Sequence, residues 1–202
     1  MNLPLPDSFY AELSPDRLRL IAEALLDVRY ETLRQMSTEL DDGYTRETAV
    51  FGRSRNRLIE LAQRGDTTWL TLAHAGMDVT FNIGSVPCRF FRDDPESPEK
   101  GGFFRRNAVD SLFAVEDKMP VMWRFIVERA MSDDGEDRVV FAGYNAYQEK
   151  VSEWVYDSAS LPLHSVGTDV PPATILPAAT VDIREESATN VSQKRKLAPG
   201  SE

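Results

Sequence analysis

The sequence predicts an α+β fold, with N-terminal helices packed on one face of a mostly antiparallel sheet of about six strands. Three observations carry this. Two long amphipathic segments come first, the hydrophobic period changes from helical to alternating near Thr67, and the alternating segments that follow are joined by short turns. Helices grouped at one end of a chain cover one face of the sheet that follows them.

The first helix starts at Ser14-Pro15-Asp16, where serine suits the cap, proline the first turn and aspartate the positive helix end. Leu18, Ile21, Leu25 and Val28 follow at three- and four-residue spacing. Leu33, Met36 and Leu40 extend the stripe with one slip, and Asp41-Asp42-Gly43 ends it, as one long helix or two with a bend. A second helix is expected over Thr45 to Arg64, with Val50, Phe51, Leu58 and Leu61 buried and Gly65-Asp66 as the stop. Gly52 in its interior costs about 1 kcal/mol relative to alanine.

Trp69 to His74 reads as a strand, Ala75-Gly76 as a turn, and Asp78 to Ile83 as the partner strand, with Val79, Phe81 and Ile83 on one face. Val86, Cys88 and Phe90 make a third strand, which Pro87 assigns to an edge or a bulge. Asp93 to Gly102 is a loop and Asn107 to Val115 a short helix. Val121 to Met131 is dense in β-branched and aromatic residues and reads as a strand rather than a helix, with Trp123, Phe125 and Val127 on one face. Ser132 to Asp137 is an acidic turn between this strand and Arg138 to Tyr144. Val151 to Tyr156 is the last strand. If the helices cover one face only, the other presents tyrosine and tryptophan to solvent or a partner.

Residues 1–157 are therefore read as one domain. Residues 158–202, rich in Pro, Ser, Thr and Ala and without an aromatic residue, are read as a tail that is disordered or laid over a partner.

The 202 residues carry a net charge of −10. That disfavours nucleic-acid binding by the surface as a whole. The charge is uneven: −5 over residues 1–43, +2 over 44–106, −6 over 107–157 and −1 beyond. No apolar run approaches the roughly 18 residues of a membrane span. Met1 to Tyr10 has neither a basic region nor an apolar core, so no secretory signal is expected. A single cysteine, Cys88, excludes an internal disulfide, and a cytoplasmic location is the expectation.

The one segment where a site is easy to build is Ile83 to Arg106, inside the only non-acidic region. Arg89, Arg92, Asp93, Asp94, Arg105 and Arg106 surround one loop there, and guanidinium groups bind phosphate or carboxylate through paired hydrogen bonds. Arg53 and Arg57, four apart on the second helix, share a face and could join them. The competing reading is a structural ion network, with Arg89 and Arg92 on opposite faces of their strand. A nuclease-like metal site on Asp78, Glu116 and Lys118 matches only by spacing. His74, His164 and Cys88 make no ligand set, and no metal or other cofactor is expected. Without a catalytic set, the function expected is that of a small intracellular accessory protein acting by protein–protein interaction or self-association. A phosphate- or other anion-binding protein is the alternative.

Overall fold

The computed structural model describes residues 3–105, 118–130 and 136–156, all within one unit, Met1–Pro162. The short helix expected over 107–115, most of the acidic turn and the tail from 158 lie outside the described residues.

Helix α1 spans Pro15–Gln35, with Ser14 as an extended N-cap and proline in the first turn. Leu18, Ile21, Ala22, Leu25, Leu26, Arg29 and Thr32 form its buried stripe. The helix ends where Met36 leaves helical geometry, and Leu40 is 90% exposed, so the stripe stops one turn earlier than its spacing suggests. Neither alternative describes the segment: α1 is one helix that ends at Gln35, and residues 36–42 are a non-helical connection to the second helix. Asp41 folds the connection by accepting from the amide and hydroxyl of Thr38, and Asp42 accepts from the Thr45 amide at 2.7 Å to cap α2 (Gly43–Gln63). Asp41-Asp42-Gly43 is therefore the start of α2 rather than the end of α1. Along α2, Val50, Ser54, Leu58 and Leu61 are buried.

Six strands follow: β1 (Leu70–His74), β2 (Thr80–Ile83), β3 (Val86–Phe91), β4 (Met122–Glu128), β5 (Arg138–Tyr144) and β6 (Lys150–Tyr156). They form one sheet in sequential order, antiparallel at every pairing except β3–β4, which is parallel. A parallel neighbour needs a crossover of a dozen or more residues. Residues 92–121 supply it, and this long connection becomes part of the site.

Two expectations are corrected. Pro87 does not mark an edge or a bulge. It lies in an interior strand opposite Asn82, one residue before the β4 ladder begins at Cys88↔Trp123, where its missing N–H costs no ladder bond. Asp78 is not on a strand. β2 begins at Thr80, and Asp78 sits in the turn before it. Gly84 opens the two-residue turn between Ile83 and Val86 with φ of 59°, the conformation such a turn demands of a leading glycine.

The helices cover one sheet face. Phe81, Ile83, Val86, Cys88, Phe90, Trp123, Phe125, Val127, Val139 and Phe141 meet Leu18, Ile21, Leu25, Leu58 and Leu61 there. Full burial of each such side chain contributes about 1.5–3 kcal/mol. The alternation read for β3, β4 and β5 is observed. The opposite face is not bare, however. Phe103 and Phe104 of the crossover pack on Met122, Ile126, Val140, Ala142 and Tyr144, and the Tyr144 hydroxyl donates to the Pro95 carbonyl at 2.8 Å. Trp123 belongs to the helix-covered face and Tyr144 is buried, so neither is offered to solvent. No described helix is long and apolar enough to cross a membrane.

Candidate functional site

The crossover loop is held by two buried arginines from neighbouring strands. Arg89 on β3 stands in register with Arg124 on β4, both on the face away from the helices. Two adjacent buried cations repel unless acceptors surround them. Arg124 Nε donates to the Phe103 carbonyl at 3.0 Å, Nη1 to the Trp123 carbonyl at 3.0 Å and Nη2 to the Arg105 carbonyl at 3.4 Å. Arg89 Nη1 donates to the Gly102 carbonyl at 3.4 Å, and its Nη2 lies 3.2 Å from Asp78. Both guanidinium groups also lie over the Phe91 ring, at 5.6 and 5.9 Å. The sequence reading passed over Arg124. Its one signal was a charge in the middle of the apolar run Met122 to Val127.

The other arginines of the expected cluster go elsewhere. Arg92 follows β3 on the helix side and pairs with Glu47 of α2 at 3.0 Å. Glu47 also holds Arg29 at 3.2 Å, and Arg29 in turn donates Nε to the buried Asp137. Arg105 pairs with Asp78 at 3.4 Å. Arg53 donates to Gln35 at 2.7 Å, and Arg57 pairs with Glu60 at 2.9 Å, so neither joins the loop. Asp93 and Asp94 shape the loop. The carboxylate of Asp93 accepts from the amides of Glu99 and Lys100, and that of Asp94 from the amide of Glu96. Arg106 lies outside the described residues. Arg89 and Arg92 thus leave β3 on opposite faces, each with a carboxylate partner; both border one cleft, but no single pocket gathers the whole set.

What the fold does build is a groove at the C-terminal end of β3, between α2, the β1–β2 turn and the crossover loop. Its inner part is a cavity of about 70 Å³ lined by Leu25, Arg29, Glu47, Val50, Phe51, Phe90, Arg92, Lys100 and Val127. It shares Phe51, Phe90, Phe91, Arg92 and Lys100 as walls with an outer cleft of about 200 Å³, which is also bordered by Met77, Asp78, Val79 and Arg89. The rim is fixed from α2, because Arg55 Nε donates to the Ala75 and Gly76 carbonyls at 3.0 and 2.9 Å. That holds the turn that presents Met77, which is 73% exposed.

Lys100 is a second cation, after Arg124, that the sequence did not single out. Its side chain is exposed as a whole, and among the described residues no carboxylate lies within ion-pair distance of its ammonium. Partial burial of the ammonium, and next the Arg92 guanidinium, hold it below the usual lysine range, against the opposing pull of Asp93 and Glu47. Nothing in local sequence separates this lysine from any other loop lysine. Its position depends on the crossover closing over β3.

Among the described residues no group of three or more His, Cys, Asp or Glu side chains is placed to hold a metal ion. Asp78 is engaged by Arg89 and Arg105, while Glu116 lies outside the described residues. Cys88 is buried in the core, as its alternation with Val86 and Phe90 implies. Comparison of the chain with protein families, with curated proteins and with solved structures finds no match in any of the three.

Proposed function

We propose that the protein is a non-catalytic accessory protein of the cytoplasm that works by binding another protein, and that the groove at the end of β3 is where it binds. One observation carries the reading. On a chain of net charge −10, the groove sets the exposed Met77 and the half-buried Phe51 and Phe91 beside Arg92 and the unpaired Lys100. An apolar floor under cations is complementary to an acidic segment with apolar side chains.

Affinity capture from native lysate, with size-exclusion chromatography and light scattering, tests it. The expected result is a bound partner or second copy whose retention falls by about tenfold or more in Met77→Glu, which adds a like charge beside Asp78. A strictly monomeric protein that recovers no partner refutes the proposal. The free ammonium of Lys100 beside Arg92 favours a second reading, a small-anion site. A thermal-shift screen with inorganic phosphate and nucleotides, repeated on Lys100→Met, checks it. A ligand-dependent rise in Tm that disappears in the variant supports it, and no rise removes it.

A further inference from the structure

The inner cavity and its two cations are arranged for one chemical group in particular. We propose that the groove recognises the C-terminal end of a polypeptide. The free carboxylate would sit between Arg92 and Lys100, and the apolar side chain on the same Cα would enter the cavity behind Phe51 and Phe90. This rests on the reading that the protein binds a partner, and it names the part of the partner that is bound.

Three observations lead there. Arg92 and Lys100 line both the cavity and the outer cleft, so the cations stand, with Phe51, Phe90 and Phe91, in the wall the two share. The rest of the cavity wall is mostly apolar, Leu25, Val50 and Val127 beside Phe51, Phe90 and Phe91, with Ser54, Arg29 and Glu47 as its other polar members. Its volume of about 70 Å³ compares with about 10–15 Å³ for one water-sized sphere. That is room for the few carbons of an aliphatic side chain. The cavity therefore asks for an apolar group within one or two bonds of an anion.

The charge balance points the same way. Arg29, Arg92 and Lys100 line the cavity against Glu47 alone, and Asp137 neutralises Arg29 from behind. Asp93 turns its carboxylate to the amides of Glu99 and Lys100 and does not line the cavity. With Asp137 counted alongside the cavity lining, one positive charge is left over, and Asp93 reduces it from outside the cavity, which suits a carboxylate better than a phosphate dianion. A chain end carries carboxylate and side chain on one carbon. An internal Asp or Glu places its carboxylate at the tip of its own side chain and leaves the cavity empty.

The test is an array of octapeptides with random bodies, ending in each of the twenty residues, made once as free acids and once as amides. It is probed with the labelled full-length protein, with N-acetyl-leucine as a soluble competitor. The expected signal is on acids ending in leucine, isoleucine, valine or phenylalanine. It is lost by about tenfold or more on amidation and by about tenfold in Lys100→Met, as expected for one charge-assisted hydrogen bond. Lys100→Met keeps the side-chain stem and touches no ion pair, so the fold is retained, while Arg57→Gln binds as the wild type does.

Equal binding of acids and amides overturns the proposal, as does a signal indifferent to Lys100→Met. If N-acetyl-leucine binds as tightly as the best peptide, the ligand is a small free acid and the polypeptide assignment fails. If no acid peptide binds but a captured partner is still lost in Met77→Glu, the C-terminal assignment falls and partner binding stands. If neither binds, both fall.

Discussion

Replacing Asp137 by alanine should be the most damaging single change outside the aromatic core. The carboxylate is buried at the entry to β5, where it accepts from Arg29 Nε of α1 and, at 2.8 Å, from the amide of Ala130 after β4. Its own amide donates to the Tyr30 hydroxyl at 3.1 Å, so one residue ties α1 to both strands. Removing one partner of a buried ion pair costs about 3–5 kcal/mol because the other charge is left without compensation. Glu47 remains 3.2 Å from Arg29 and is partly open to solvent, which moves the cost towards the lower end. The lost acceptor for Ala130 adds about 1 kcal/mol. The expected loss is about 3–4 kcal/mol, out of the roughly 5–15 kcal/mol that stabilises a domain. At about 2–4 °C per kcal/mol for a chain of this size, Tm falls by roughly 6–16 °C. Urea unfolding followed by circular dichroism measures it. Arg29→Met and the double variant complete a cycle, in which the double variant should lose clearly less than the sum of the singles. A loss below about 1 kcal/mol in Asp137→Ala, or strict additivity, would refute the account of the pair.

Gly52→Ala should stabilise by up to about 1 kcal/mol, because a Cβ there meets nothing within 4 Å and alanine is the better helix former; denaturant midpoints report it. Gly84→Ala should act in the opposite direction, since φ is 59° and the new Cβ would stand 2.6 Å from Glu12 Cγ; a loss of about 1–3 kcal/mol is expected, and an unchanged midpoint contradicts the turn assignment. Asp42 is held below the usual aspartate range, first by the Thr45 amide, so its cap stabilises fully above the unfolded-state pKa near 3.8 and is lost as pH falls through the lower folded value. Asp42→Asn can still cap, so it should fold as well at pH 7 and flatten the part of the acid limb that Asp42 supplies below about pH 4, as thermal melts at successive pH values will show.

Much of the secondary structure was legible because it follows from local period. β5 begins and ends where its alternation does, and the facing of Trp123, Phe125 and Val127 follows from alternation alone. Asp41-Asp42-Gly43 shows how a local signal can carry two meanings. The acidic residues read as the stop of one helix instead cap the next, because the first helix has already ended at Gln35. Pro87 shows the opposite difficulty. A missing donor excludes a residue from a ladder bond, yet whether a neighbour needs that bond depends on where β4 starts to pair. For the site, the alternation of β3 already separated Arg89 from Arg92. That Arg89 would stand beside Arg124, or that Lys100 would stand free beside Arg92, had no local trace.

The residue pattern alone settles the order of the two long helices and the six strands and which face their side chains take, because both obey periods of a few residues. The parallel β3–β4 pairing, the closing of the crossover over the second face and the groove that results were settled by tertiary packing. Each joins residues far apart in sequence, and what brings them together is the burial of Phe103 and Tyr144 and the need of Arg89 and Arg124 for carbonyl acceptors.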